Sequence, residues 1–369
     1  MTIRTALLKT HLYVGLTIAV VLLLVAASGA ALVFEENIDR ALHPGLSYVT
    51  PGGATLKVQA LIAKVALAYP DVRITGVSFP EAPGVSLSFS ARSQSLGPLA
   101  VYVNQYTGDV LGYRTAEERE RGLARRIHLL HTRLFGGQIG EWLVGTVTAL
   151  TLLMAVTGLC LWWPRKIVAI TRGRSWRRTN FDLHNVFGLY ASTVFLFIAL
   201  TGMMIAFEGV TDPLFRKLDS APLPEIPKRS AAVKGAAPMD VDQLIDIARA
   251  ALPGAFLKNI SAPAGGSGVV AAGMKFPEDR TPGGRSRVFL DQYSGRVLAV
   301  LNTRTAPLGT RLINLKRSAH TGDIFGAPTQ ALYFLTSLML VGQIVTGFFI
   351  WWKPRPIAVD VAPRARHRA

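Results

Sequence analysis

Four stretches of this chain, 12–34, 142–163, 185–207 and 330–352, contain no charged residue. Each is about the ~20 residues that a helix needs to cross a hydrocarbon layer. Between them the hydrophobic pattern changes period. Residues 55–68 and 240–252 carry apolar positions at close to helical spacing, and Asp240 stands where an N-cap is expected. Shorter alternating runs follow each: 73–79, 85–90 and 99–105, then 256–261, 269–275 and 286–292. The segments VYVNQYTGDVLG (101–112) and VFLDQYSGRVLA (288–299) place a Y-[TS]-G step between alternating runs, the pattern of a turn joining antiparallel strands. The expected fold is a bundle of four transmembrane helices with two extramembrane α+β modules, 36–127 and 209–316.

The elements recur in the same order, which points to an internal duplication. Ser28-Gly29 in the first span matches Thr201-Gly202 in the third, and Thr157-Gly158 in the second matches Thr346-Gly347 in the fourth. The two copies differ in length by about 16 residues, and the Pro/Gly/Ala-rich stretch 221–238 is the expected insertion. Boundaries follow from the pattern: helices within 1–35, 128–165, 183–208 and 317–353, a basic loop 166–182 and a tail 354–369. The first span resembles a secretory signal, with Arg4 and Lys9 before it. Its apolar core is too long for one, and it matches the third span, so we take it as a retained helix.

Composition changes this picture little; charge adds an orientation. The chain has a formal net charge of +17. In a soluble protein that would suggest nucleic acid. Here Arg4, Lys9, Arg165, Lys166, Arg172, Arg174, Arg177, Arg178, Lys353, Arg355, Arg364, Arg366 and Arg368 all flank one set of span ends. That is the positive-inside bias, with Trp162–Trp163 and Trp351–Trp352 at the same boundary. It predicts a cytoplasmic-membrane protein with both termini inside and both modules in the periplasm, and no nucleic-acid partner. The single cysteine, Cys160, falls within a span, so neither an intramolecular disulfide nor thiol chemistry is expected.

Four histidines carry the chemistry. His11 (KTHLYVGL) and His184 (DLHNVFGL) open spans one and three; His131 (LLHTRLFGG) and His320 (SAHTGDIFG) lead into spans two and four. Two spans per copy make the copies parallel repeats about an axis along the membrane normal, so matched residues share a depth. His11 and His184 then pair at the inner face, His131 and His320 at the outer. Ionisable residues at such depths are costly and commonly functional. Two neutral imidazoles on facing helices suit the axial positions of one haem iron, so two b-type haems are expected, one per leaflet. Glycines 15, 29, 158, 188, 202 and 347 leave room for a macrocycle or let helices approach. His128, three residues before His131, shares its helix face and is an alternative outer ligand, a proton donor or a substrate contact. The repeated His-Thr pattern favours His131. His43 and His367 have no matched partner and read as surface residues.

A basic collar also lies on the module side: Arg119, Arg121, Arg125, Arg126 and Arg133 before span two, and Arg304, Arg311, Lys316 and Arg317 before span four. It runs against the positive-inside trend. Arg125, Arg126 and Arg317 are candidate contacts for haem propionates or an anionic ligand; lipid headgroups or solvent are the alternative. Glu117, Glu118 and Glu120 can neutralise part of the first cluster.

The motifs DLHNVFGL (182–189), LLHTRLFGG…WLVG (129–145), TGLCLWWPR (157–165) and TGFFIWWKPR (346–355) together resemble the PepSY-associated transmembrane family of bacterial inner membranes. NQYTGDVLG and DQYSGRVLA resemble PepSY domains. Only GDIFGAPTQ departs from the usual pattern. Some members are di-haem siderophore reductases, and the resemblance implies reduction of a ferric siderophore at the periplasmic face. It also implies haem ligation by His11, His184, His131 and His320. The partners would be the ferric siderophore and a cytoplasmic electron donor or quinol. Two other readings remain open: a b-type electron carrier serving quinone or another acceptor, and a non-redox PepSY protein that binds or transports its ligand. No GxGxxG nucleotide fingerprint identifies the donor.

Overall fold

A computed structural model describes residues 2–171, 175–222, 224–226, 229–230, 237–261 and 267–352. Arg172, Arg174, half of 221–238, and the tail beyond Trp352 with His367 fall outside them. Four helices are long and apolar enough to cross a membrane: α1 (Ile3–Leu32), α7 (Gly137–Trp162), α8 (Trp176–Ala206) and α12 (Ala327–Trp352). They cover the four uncharged stretches and pack together. Ile18, Leu22, Ala26, Val147 and Leu340 are buried at their centre.

The connections hold more structure than the pattern predicted. After α1 come α2 (Glu35–Leu42) and α3 (Pro44–Ser47), then α4 (Val58–Ala68). Four strands follow: β1 (Val72–Ser78), β2 (Leu87–Ser93), β3 (Gly97–Val103) and β4 (Val110–Thr115). The chain returns through α5 (Ala116–Arg121) and α6 (Leu123–Arg133) into α7. The second half repeats the order. After α8 come α9 (Glu208–Arg216), α10 (Val241–Ala251), β5 (Phe256–Ser261), β6 (Val269–Lys275), β7 (Ser286–Asp291) and β8 (Val297–Leu301). Then α11 (Leu308–Thr321) and a 3-10 turn (Asp323–Phe325) lead into α12. Asp240 caps α10 as expected, accepting from the Asp242 amide at 2.8 Å. The expected 16-residue insertion is not confined to 221–238. The β6–β7 connection, residues 276–285, is longer than the β2–β3 connection, residues 94–96.

The two modules are not separate bodies. β1 pairs antiparallel with β5 through Gly76–Ser261, Val77–Ile260 and Ser78–Asn259, giving one eight-stranded sheet of order β4-β3-β2-β1-β5-β6-β7-β8. Gly76 makes this seam possible: a Cβ there would stand 3.0 Å from the Ile260 carbonyl oxygen. α4 and α10 cover one face, and a single core runs through both halves, from Leu61, Val65 and Phe89 to Met274, Val288 and Leu290. Strand residues alternate faces, so Gly112, Arg114 and Arg287 belong to the opposite face. That face meets the helices leaving the bundle: Arg114 makes a two-pronged bond to Asp39 of α2 at 2.9 and 3.0 Å. Leu46 of α3 lies against Gly112.

Helix α4 has no cap of its own, because its N-cap position is Lys57. Asp242 of α10 supplies one from the other half, its carboxylate accepting from the Val58 amide at 2.9 Å and the Gln59 amide at 3.0 Å. Asp242→Ala is expected to destabilise this corner by about 1 kcal/mol, the usual cost of a lost cap. Hydrogen–deuterium exchange checks it: the Val58–Leu61 amides should exchange about fivefold faster, while the amides of α7 stay unchanged.

Candidate functional site: two layers of paired histidines

His131 and His320 do not sit on the membrane helices. His131 lies on α6, which ends where Leu134 and Phe135 turn left-handed (φ 47° and 59°) before α7 begins. His320 lies near the end of α11, which stops at Gly322 (φ 83°). Each short helix lays its histidine across the sheet-side end of the preceding membrane helix. His11 and His184 lie on α1 and α8 at the far end of the bundle.

The structure brings the four together as two pairs. The His11 and His184 ring centres are 6.3 Å apart and the rings nearly perpendicular, at 86°. The His131 and His320 centres are 6.1 Å apart, tilted by 41°. His11 and Gly29, which marks the depth of His131, are 18 residues apart on α1. At 1.5 Å per residue the layers are about 27 Å apart along that helix.

All four rings are held alike, by the Ser/Thr-Gly steps. His131 Nδ1 lies 2.9 Å from the Val25 carbonyl, with Ser28 Oγ at 3.4 Å and Gly29 beneath the ring. His320 Nδ1 lies 2.9 Å from the Ile198 carbonyl, with Thr201 Oγ1 at 3.4 Å and Gly202 beneath. His184 Nδ1 lies 2.9 Å from the Gln343 carbonyl, with Thr346 Oγ1 at 3.4 Å and Gly347 beneath. His11 Nδ1 lies 3.0 Å from Thr157 Oγ1, whose own hydrogen goes to the Leu153 carbonyl, with Gly158 beneath. A carbonyl oxygen only accepts, so Nδ1 must carry the hydrogen and donate it. Nε2 is then left with a free lone pair, the tautomer a metal ligand needs.

The spacing admits a shared iron. Two imidazole nitrogens about 2 Å from one first-row metal ion, with ring centres about 1.1 Å beyond, put the centres about 6.2 Å apart. Around His11 and His184 lies a cavity of about 660 Å³, within the range of cofactor pockets. Gly15, Gly158, Gly188 and Gly347 line it, and it runs from Arg4, Arg165 and Trp351 to Leu22 and Leu340. A flat macrocycle fits this chemistry: apolar walls, two paired imidazoles held over Gly158 and Gly347, and Arg4 and Arg165 in the lining.

The chain matches a family model described as the PepSY-associated TM region over residues 8–353. It belongs to the PepSY-associated transmembrane family. None of the curated proteins matches the chain. For this PepSY-associated protein the geometry bears on the remaining candidates. His128 turns toward Glu35, its Nδ1 3.8 Å from the carboxylate, while His131 faces His320. His43 bonds the Asp39 carbonyl. Cys160 is exposed on α7. Arg125 bonds Glu120 at 2.8 Å and Arg121 bonds Glu117 at 2.7 Å, while Glu118 closes a capping box with Thr115. Lys316 is buried between Glu208 and Asp212. The residues that pattern reading undervalued are Gly29, Gly158, Gly202 and Gly347. Their signal was present, because each lies directly after a Ser or Thr and recurs at matched positions.

Glycine within a helix normally costs up to about 1 kcal/mol relative to alanine. At the docks the sign should reverse, because a Cβ on Gly202 would stand 2.8 Å from His320 Cε1 and one on Gly29 would stand 2.9 Å from His131 Cε1. Gly209 on α9 has nothing within 4 Å of its would-be Cβ. Thermal unfolding of the detergent-solubilised protein should therefore show Gly202→Ala and Gly29→Ala lowering the midpoint by several degrees. Gly209→Ala should leave it level or raise it slightly.

Proposed function

We propose that this membrane protein is a haem-dependent oxidoreductase of the bacterial inner membrane. Its role is to carry electrons from the His11/His184 end to the sheet side, there reducing the iron of a ferric siderophore so that it is released as ferrous iron. The observation that carries this is the fourfold dock: two histidine pairs at bis-imidazole spacing, every Nδ1 tied to a neighbouring helix, and the pairs separated by about the thickness of a bilayer. On this reading His11 with His184, and His131 with His320, are the axial ligands of two b-type haems. When bound, the haems supply one-electron transfer at iron, which is the chemistry a ferric chelate requires.

The protein's own part is positional. The carbonyls of Val25, Ile198 and Gln343 fix the rings and raise the basicity of the free nitrogens. The glycines keep those nitrogens within reach of a common centre. The apolar walls around His11 and His184 exclude water there. Arg4 and Arg165 at the cavity mouth are suited to hold propionate carboxylates. Basic residues at that end, with Trp162, Trp163, Trp351 and Trp352, support an orientation with this end in the cytoplasm and the sheet in the periplasm. The donor on the cytoplasmic side is a soluble reductant or quinol.

An absorption spectrum of the purified protein tests the haem reading, with a Soret band and reducible α and β bands expected. Their absence would exclude both redox readings and leave a non-redox binding protein. His11→Ala should remove about half of the bound haem. Unchanged haem content contradicts the assignment. In stopped-flow mixing, ferric siderophore should reoxidise the reduced protein; reoxidation by quinone alone would make the chain a b-type electron carrier instead.

A further inference from the structure

The long β6–β7 connection is well anchored. The Asp279 carboxylate accepts from the Phe276 amide and from the Thr303 hydroxyl, both at 2.8 Å. The Ser286 hydroxyl, fully buried, bonds Thr303 at 2.9 Å. Arg304 lies 3.8 Å over the Phe276 ring and bonds Glu278. From this loop Arg280 reaches down to the 3-10 turn before α12, its guanidinium 5.1 Å from the Phe325 ring centre. The loop therefore bridges the sheet and the bundle end that carries His320.

Three exposed arginines gather there. Arg287 lies on β7, on the face turned away from α4 and α10, since its neighbour Val288 and Leu290 point into the core. Arg317 lies on α11, three residues before His320 and so on a neighbouring helix position. Arg285 ends the loop, two residues before Arg287. Partial desolvation of its head group, and then the charges of Arg287 and Arg317, hold it below the usual arginine range. Among the described residues no carboxylate pairs with any of the three. Of the other basic residues on this side, Arg114, Arg121, Arg125, Arg133, Arg304 and Lys316 each have an acid partner, whereas Arg119, Arg126 and Arg311 have none among the described residues. Like charges placed together without a counter-ion repel, and the planar guanidinium fork matches paired anionic oxygens.

We propose that Arg285, Arg287 and Arg317 form a binding site for a multiply anionic ferric chelate beside the His131/His320 pair. The inference rests on the reductase reading and adds the charge class of its substrate. Two of the three arginines belong to the sheet rather than to the bundle, which favours a ligand lying between sheet and bundle. A propionate of a group held within the helices, or a lipid headgroup at their rim, would share the same oxygen chemistry.

Gallium(III) chelates separate binding from reduction. The full chain, carrying its haem, is placed in nanodiscs of zwitterionic lipid and titrated calorimetrically with an anionic gallium tris-catecholate and a cationic gallium trihydroxamate. The anion should bind at least tenfold more tightly, with an affinity that falls steeply as salt rises. R285Q/R287Q should weaken it at least tenfold with haem content unchanged, and R285K/R287K should retain most of it. Equal binding of both chelates, no binding of the anion, or indifference to R285Q/R287Q overturns the proposal. Loss of bound haem in R285Q/R287Q would mark a propionate clamp instead. An effect seen only when phosphatidylglycerol is present would mark a headgroup site. The two readings fail separately: ferric chelates reduced regardless of charge sink the site alone, whereas anion binding without any reoxidation sinks the reductase.

Discussion

The bond from each histidine Nδ1 to the adjacent helix is the constraint on which the rest depends. A carbonyl four residues before a helix glycine already accepts from that glycine's own amide, yet keeps a second lone pair. The missing side chain exposes that lone pair, and the preceding Ser or Thr hydroxyl folds back onto the same helix turn. An imidazole laid over the glycine therefore finds an acceptor in a region where water cannot supply one. One hydrogen bond fixes the tautomer, the ring orientation and the direction of the free nitrogen together. Without the glycine the ring would be pushed off; without the carbonyl the tautomer would be unspecified.

Docks on four helices make facing pairs only if the two halves hold a fixed register. The sheet supplies part of that. The β1–β5 seam and the Asp242 cap join the halves above the bundle. Ion pairs then run from the sheet and its flanking helices into the histidine-bearing layer. Arg114 ties β4 to α2, and Lys316, nearly buried, ties α11 to α9 through Glu208 and Asp212. Tyr333 fixes α11 to α12 by donating to the Ala319 carbonyl at 2.7 Å, one residue from His320. A buried lysine without its acids would be costly, so these contacts specify a single arrangement of α11.

Much of this was legible because it rests on local pattern. The four spans follow from uncharged runs, and the strands β5, β6 and β7 from alternation bounded by glycine and polar residues. The pairing of His11 with His184 followed from matched neighbours rather than from either histidine alone. What escaped were contacts between residues far apart in sequence. The β1–β5 seam joins strands nearly two hundred residues apart, and edge strands carry no mark of their eventual partner. The Asp242 cap was hidden for the same reason: the sequence around Lys57 shows a missing cap but not its replacement. The break between α6 and α7 was obscured because Leu134 and Phe135 adopt left-handed backbone, where bulky residues are rare. The choice between His128 and His131 depends on helix rotation: one residue turns to Glu35 and the other to His320.

The symmetry of the centre and the asymmetry of the rim have one physical origin. On the haem reading, the two ligands of one iron would meet equivalent demands of distance, tautomer and orientation, which a matched pair of docks satisfies. A substrate bound to one side of the bundle does not lie on its pseudo-twofold axis, so a site for it needs no matched half. The departures between the halves fall where that argument puts them. His128 in one half corresponds to Arg317 in the other, and a three-residue hairpin loop to a ten-residue one bearing Arg280 and Arg285. In the first half Arg114, Arg121, Arg125 and Arg133 are matched by Asp39, Glu117, Glu120 and Glu141, while Arg119 and Arg126 there, like Arg285, Arg287 and Arg317 in the second half, face none among the described residues. On the proposed reading, a ligand held by Arg285, Arg287 and Arg317 would approach the histidine pair from the second half.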